Sequence, residues 1–188
     1  RYTFTEGALD GLAFYTTYRT QYFNIYADDP SQFVLDNVKE LLYGTEYRHN
    51  SLLLRIEQVI HDSTVNAYDN TRMEAIWDYR IGPQSLFGID LSRELINYDD
   101  PPNDVVLDRV TARWNQQLSR QLDFELRLIY RNETNELEGN SRGFDQSLAI
   151  HWHKGQTSLY ANIRNEFLFS DPQDNTTQTL EFGLRRNF

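Results

Sequence analysis

The stretch "LDFELRLIYR", residues 122–131, alternates between apolar and mostly charged side chains. One set of alternate positions consists of Leu122, Phe124, Leu126, Leu128 and Tyr130, and the other consists of Asp123, Glu125, Arg127, Ile129 and Arg131. Successive side chains of a β-strand point to opposite faces. This stretch therefore predicts a strand with one apolar face and one ionic face.

The same alternation occurs along much of the chain. In "RMEAIWDYRI", residues 72–81, Met73, Ala75, Trp77, Tyr79 and Ile81 alternate with Arg72, Glu74, Ile76, Asp78 and Arg80. Arg109 and Arg113 are likewise opposed to Trp114, and Arg164 and Glu166 to Phe167. Two-sided strands of this kind are typical of antiparallel sheets.

Short breaks divide these segments into hairpins. "YRHNS", "RIGPQS", "NQQLSRQ" and "HKGQT" are centred near residues 49, 83, 118 and 155, and longer polar breaks lie between them. Hairpins explain this spacing. The chain is therefore predicted to be one domain, residues 1–188, with about ten strands, near residues 12–26, 38–48, 51–61, 70–81, 85–97, 105–116, 119–131, 143–153, 157–169 and 178–188.

Alternation alone fits either a soluble β-sandwich, with the apolar face as its core, or a transmembrane β-barrel, with that face against lipid. The aromatic positions favour the barrel. Trp77, Trp114 and Trp152 each precede a short break by a few residues, on the apolar face, and Tyr47 has a similar place. Such a belt is typical of an aromatic girdle at the boundary between hydrocarbon and water.

Composition excludes several classes of protein. The net charge of −10 argues against a nucleic-acid partner, because phosphate binding needs clustered cations. No stretch approaches the roughly 18 apolar residues of a membrane helix, and without cysteine there are no disulfides or thiolate metal sites. The opening "RYTFTEG" lacks a Met and a signal peptide, so we expect a mature chain or a fragment, with further strands or a periplasmic domain left open.

The last ten residues, "TLEFGLRRNF", place Leu180, Phe182 and Leu184 at every second position before a final Phe188. With Glu181, Gly183 and Phe188, this segment resembles the C-terminal assembly signal of Gram-negative outer-membrane β-barrels. Arg186 stands where that family usually has an aromatic residue. The Arg-rich hairpin "RVTARWNQQLSRQLDFELRLIYRNE" is similar to those of porin-like barrels encoded near polysaccharide and export systems.

This resemblance implies an all-β, transmembrane, antiparallel up-and-down barrel in the bacterial outer membrane. Its short turns would be periplasmic and its longer loops extracellular. It also implies contact with outer-membrane lipid and lipopolysaccharide, and insertion by the barrel-assembly machinery. The residues expected to line the lumen are Arg55, Glu57, Arg72, Glu74, Asp78, Arg80, Arg109, Arg113, Asp123, Glu125, Arg127, Arg164, Glu166 and Arg185.

Two states of that lumen remain open. Opposite charges could pair and fill the narrow interior of a ten-stranded barrel, or they could be solvated walls of a water-filled channel. Ten strands alone favour the filled lumen, whereas a chain that is part of a wider barrel favours the channel. Acidic residues in the polar breaks, among them Asp28, Asp29 and Asp171, are more simply solvated than metal-binding.

No enzyme is predicted, and no catalytic residue, cofactor or metal site is assigned. His61 lies beside Asp62 and Ser63, but adjacent residues of a strand point apart, so no base and nucleophile are paired. His151 and His153 share one face without a third ligand.

The predicted function is a porin-like or export-associated channel for small solutes or polymer. The alternative is a non-conducting structural or adhesion barrel that acts through acidic extracellular loops, or part of a larger membrane assembly with a protein partner. The solute, the partner and the oligomeric state are not specified by the sequence.

Overall fold

A computed structural model describes residues 1–26, 33–170 and 173–186. These residues form one antiparallel sheet whose strands follow each other in chain order, each hydrogen-bonded to the next. A short 3-10 turn spans Gly7–Leu9. The strands are β1 Tyr2–Thr3, β2 Leu12–Tyr26, β3 Phe33–His49, β4 Leu52–Asp62, β5 Tyr68–Arg80, β6 Ser85–Asp99, β7 Pro102–Ser119, β8 Leu122–Asn135, β9 Gly139–Lys154, β10 Thr157–Ser170 and β11 Gln173–Arg186.

The packing divides the chain into two compact units. Unit 1 comprises residues 1–75, 93–107 and 135–138, and unit 2 comprises residues 76–92, 108–134 and 139–188. In unit 1, β2 pairs with β3 from Leu12 opposite Tyr47 onward. In unit 2, β10 pairs along its whole length with β9 and β11. Continuous register keeps each set of alternate side chains on one face over many residues.

The ten long strands, β2 to β11, correspond to the ten predicted from the sequence, and β1 is an additional two-residue strand. The bounds differ mainly at the polar breaks. β8 and β9 extend to 135 and from 139, whereas the sequence predicted ends at 131 and 143. A ladder of backbone hydrogen bonds does not require apolar side chains, so pairing continues through polar sequence. The Asn135 side chain then closes the turn, accepting hydrogen bonds from the N–H groups of Leu137 and Glu138 at 3.0 Å each.

Burial in this sheet is inverted relative to a water-soluble protein. Phe182 and Leu184 are 72% and 71% exposed, whereas Glu46 is 5% exposed. The buried apolar residues of the described chain are small or medium-sized: Ala13, Val38 and Val105. The buried polar residues are Asp36, Glu46, Ser85, Thr111, Asn135 and Asp145. Most of the large apolar side chains therefore lie exposed on one face of the sheet, opposite the face that carries the buried acidic residues.

This arrangement decides between the two architectures left open by alternation. A sandwich buries its apolar faces between two sheets, but the described residues form a single sheet. An exposed apolar surface of this extent is stable against hydrocarbon and unfavourable in water. No helix among the described residues has the length and apolarity needed to cross a bilayer.

The face assignment predicts opposite outcomes for two arginine substitutions in β8. Leu126→Arg places a guanidinium on the apolar face near the middle of the strand, and we expect a loss of about 2–4 kcal/mol in the free energy of unfolding. Ile129→Arg places the same group among the charged side chains, and we expect a change below about 1 kcal/mol. Urea unfolding in lipid vesicles, followed by tryptophan fluorescence, measures both. Equal losses would contradict the assignment.

Candidate functional site on the charged face

The charged face is defined as the face of the sheet that carries Glu46, Arg55, Asp78, Arg113 and Asp145. Ion pairs join Arg55 to Glu46, Arg113 to Asp78 and Arg131 to Asp145 across one sheet, and strand periodicity assigns the alternate neighbours of each residue to the same face. All residues predicted to line a lumen fall on it: Arg55 and Glu57 in β4, Arg72, Glu74, Asp78 and Arg80 in β5, Arg109 and Arg113 in β7, Asp123, Glu125 and Arg127 in β8, Arg164 and Glu166 in β10, and Arg185 in β11.

In unit 1, Arg55 links carboxylates on the two strands beside β4. It donates to Glu46 at 2.9 Å and to Glu74 at 3.3 Å. Arg72 contacts Glu74 at 3.1 Å and Glu94 at 3.5 Å. The buried carboxylate of Glu46 also receives a hydrogen bond from Arg1 at 3.2 Å. Glu46 and Glu74 are thus each shared between guanidinium groups, which offsets the cost of their desolvation.

A similar arrangement occurs in unit 2, where Arg113 links Asp78 at 2.6 Å and Asp90 at 2.8 Å. Arg131 lies 3.6 Å from Asp145, and Arg164 pairs with Glu166 on its own strand. The sequence-based list did not include Glu46, Asp90, Glu94 or Asp145. Alternation along β3, β6 and β9 could have found them, because each occupies the same parity as the charged positions of its strand.

Four strand glycines lie beneath these long side chains. A Cβ at Gly88 would come within 2.6 Å of the Asp78 carboxylate and would also overlap Arg113. A Cβ at Gly143 would come within 2.8 Å of Cγ of Arg131. The glycines are therefore needed for space: a guanidinium group lies flat across the backbone where a side chain would otherwise stand.

At the other two glycines, Gly44 and Gly183, a tyrosine ring lies across the backbone. Tyr15 lies opposite Gly44 and donates a hydrogen bond to Glu57 at 2.7 Å. Tyr160 lies opposite Gly183, where a Cβ would overlap its ring. The charged face thus carries two aromatic rings that lie along the backbone. Gly183, predicted as part of an assembly signal, also has this local packing role, and Phe188 lies outside the described residues.

Other arginines of the charged face have no ion pair. Within the described residues, Arg80, Arg109 and Arg127 are exposed and make no hydrogen bond or salt bridge. A cavity of about 400 Å³ lies beside Arg127 in unit 2. The face therefore combines paired charges with charges that are open to solvent.

His61 and Ser63 have different partners. Ser63 donates to Asp36 at 2.9 Å, whereas His61 lies 3.8 Å from Glu40 and stacks on Tyr68 with ring centroids 4.6 Å apart. Asp36 also accepts hydrogen bonds from the backbone and hydroxyl of Thr64, both at 2.9 Å, and so fixes the start of the connection between β4 and β5. No pattern in the sequence predicted this role of Asp36.

His151 and His153 have different neighbours. His151 lies beside the Tyr160 ring at 6.4 Å, and His153 lies 4.0 Å from Asp123. No group of three or more metal-ligating side chains is present in residues 1–26, 33–170 and 173–186. Asp28, Asp29 and Asp171 lie outside those residues.

The residues predicted as an aromatic girdle lie on the apolar face. Trp114 packs edge-to-face on Phe124 at 5.4 Å, and its indole N–H donates to Ser85 at 2.9 Å. The ring of Trp77 is edge-to-face with that of Phe87, with ring centroids 6.3 Å apart. Trp152 pairs with Leu159, and Tyr47 pairs with Leu12 and Leu54. Each of these four residues lies shortly before the end of a strand that leads into a short turn.

Comparison with solved structures identifies the fold. The chain is similar to OmpT, an outer membrane protein of Vibrio cholerae, in a form lacking loop L8, with a TM-score of 0.59 and 12% identity over 94% of this chain and 62% of that chain. The trimer form of OmpT matches with a TM-score of 0.56 and 12% identity over 94% and 64% of the respective chains. This chain thus spans less than two thirds of these neighbours. No family model and no curated protein matches.

The fold is therefore that of an outer-membrane β-barrel, as the sequence predicted. The predicted location agrees with these neighbours, which are outer membrane proteins of a bacterium. At this identity the likeness concerns the fold, and it assigns no site residue.

The network around Glu46 predicts a specific stability effect. Arg55→Met removes the guanidinium that links Glu46 to Glu74, and we expect a loss of about 1–3 kcal/mol in the free energy of unfolding, because a buried carboxylate loses a charged partner. The matched control is Arg80→Met on the same face, where no ion pair is lost and we expect a change below about 0.5 kcal/mol. Unfolding in detergent measures both, and an equal effect would contradict the network.

Proposed function

We propose that this chain forms the wall of a water-filled, porin-like channel for small polar solutes, with the charged face toward the lumen. The observation that carries the proposal is the exposure of Arg80, Arg109 and Arg127, which have no ion pair among the described residues, on the face opposite the apolar surface. An unpaired guanidinium is retained at low cost when water solvates it and at high cost in a dry interior. Solvated charges of both signs then select the solutes that pass.

The rival function is a non-conducting structural or adhesion barrel. The networks of Arg55 and Arg113 favour it locally, because paired charges fill space and rigidify the face. They cover only part of the charged face, which is why we prefer the channel.

The remaining functional roles follow from the same proposal. The apolar face, with Tyr47, Trp77, Trp114 and Trp152 near the short turns, would contact outer-membrane lipid and lipopolysaccharide. Insertion would depend on the barrel-assembly machinery, and the chain would act without catalysis. A protein partner in a larger assembly is compatible with this role.

Single-channel recording in planar bilayers tests the proposal. Protein folded in detergent, verified by faster migration on gels before boiling, is expected to insert with stable stepwise conductance. A preparation that passes the gel test and stays electrically silent would overturn the channel and favour the structural role.

The charged face also predicts ion selectivity. Glu125 and Arg127 are neighbours on this face of β8, exposed and without ion pairs to other described residues. Glu125→Gln should lower the preference for K⁺ over Cl⁻, and Arg127→Gln should raise it, because each removes one solvated wall charge. Reversal potentials in a KCl gradient measure both shifts. Leu126→Ile, on the apolar face between them, is the control and should leave the potential unchanged.

A further inference from the structure

The cavity of about 400 Å³ on the charged face is built entirely from strands β8 to β11 of unit 2. Tyr160, Glu181, Glu125 and Arg127 line it, together with Asn162 and His151. This volume is large enough for a small organic solute with a short carbon chain. Polar and apolar groups both reach it, as in sites that orient a ligand at its two ends.

Tyr160 gives this cavity a flat aromatic wall. One side of its ring rests on Gly183, where any side chain would collide with it. The tyrosine is nevertheless 44% exposed, so its other side is open. His151 lies beside the ring, inclined by 27°. An open aromatic face attracts cations, and a planar guanidinium can stack on it.

Only some of the charged side chains in the cavity have ion-pair partners. Arg164 pairs with Glu166, and Asp145 lies beside Arg131. By contrast, Glu125, Glu181 and Arg127 have no ion pair or hydrogen bond within the described residues. Glu181 lies opposite Asn162, one alternate position from the pair formed by Tyr160 and Gly183. Two free carboxylates and an aromatic face thus lie in the same cavity as one free guanidinium.

These free groups lie on three strands: Glu125 and Arg127 on β8, Tyr160 on β10 and Glu181 on β11. Arg127 is on β8 and Tyr160 on β10, with β9 between them, and two strand spacings amount to about 10 Å. A ligand that meets both must carry a positive and a negative charge at opposite ends of an extended molecule. A simple inorganic ion or a compact zwitterion does not span this separation.

We propose that the cavity binds an amino acid with a basic side chain, the side-chain cation on Tyr160 with Glu181, and the α-carboxylate and α-ammonium on Arg127 and Glu125, which are neighbours on β8. The pairing satisfies each free charge of the cavity with its opposite and uses the open ring. The inference deepens the proposed function, on which it rests for access of solutes to this face.

Equilibrium binding to the detergent-folded protein, measured by titration calorimetry, tests the site with three related probes. L-Arginine carries the side-chain cation and the α-carboxylate, agmatine lacks the α-carboxylate, and L-citrulline lacks the side-chain cation. We expect arginine to bind at least about tenfold more tightly than citrulline and about fivefold more tightly than agmatine, because each comparison removes one charge-assisted contact.

Variants separate the two ends of the site. Arg127→Gln should abolish the preference for arginine over agmatine while leaving agmatine binding unchanged. Tyr160→Leu should weaken both ligands about tenfold, and Tyr160→Phe should retain binding because the ring is kept. Tyr15→Leu removes the other tyrosine that lies on a glycine, outside this cavity, and is the matched control.

Several results would overturn the site: no heat with arginine, equal affinity for arginine and citrulline, or an Arg127→Gln variant that still prefers arginine to agmatine. If Tyr160→Leu does not fold, the Arg127→Gln comparison decides. The test is independent of conductance. A silent barrel that binds arginine would overturn the channel and keep the site, and a conducting barrel that ignores arginine would do the reverse.

Discussion

The structure depends on one constraint: ionic side chains must be kept away from hydrocarbon while every backbone hydrogen-bonding group finds a partner. A chain of two-sided strands meets both demands. Pairing with a neighbour on each side satisfies the backbone of the strands from β3 to β10. Alternation then sends most of the Asp, Glu and Arg side chains to one face and most of the Leu, Phe and Trp side chains to the other. A slip of one residue in register would exchange the faces, which is why the long unbroken ladders around β10 matter.

Long side chains crowd the charged face, and glycine residues in the strands make room for them. Arginine and tyrosine are long, and on a sheet they either stand out from the surface or lie along it. At Gly44, Gly88, Gly143 and Gly183 the missing side chain lets a neighbour lie flat. Arg113 thereby reaches carboxylates on two strands, and Tyr160 gains an open ring face. The same device thus serves stability in one place and a candidate binding surface in another.

The sequence was a good guide to the fold because the decisive signal is local. Alternation in 122–131 and the short breaks predicted ten long strands and their faces, and these are confirmed. Strand ends in polar sequence were less predictable, since pairing beyond Arg131 depends on the neighbouring strand rather than on apolar side chains. The distribution of ion pairs was also beyond the sequence. Nothing in it distinguishes Arg113, which links two acids, from Arg127, which has no ion pair with any described residue.

That distinction bears directly on the state of the lumen. Leaving one ionised group unpaired in a dry interior costs several kcal/mol, and a typical domain is stable by only about 5–15 kcal/mol. The charged face leaves Arg80, Arg109 and Arg127 without ion pairs, and also Glu125 and Glu181, among the described residues. A sealed interior holding all five would consume most or all of the stability of the fold. Water along this face removes that cost, and it also makes those charges available to a passing solute. The physical requirement for a stable wall and the chemical requirement for a selective channel therefore favour the same hydrated arrangement.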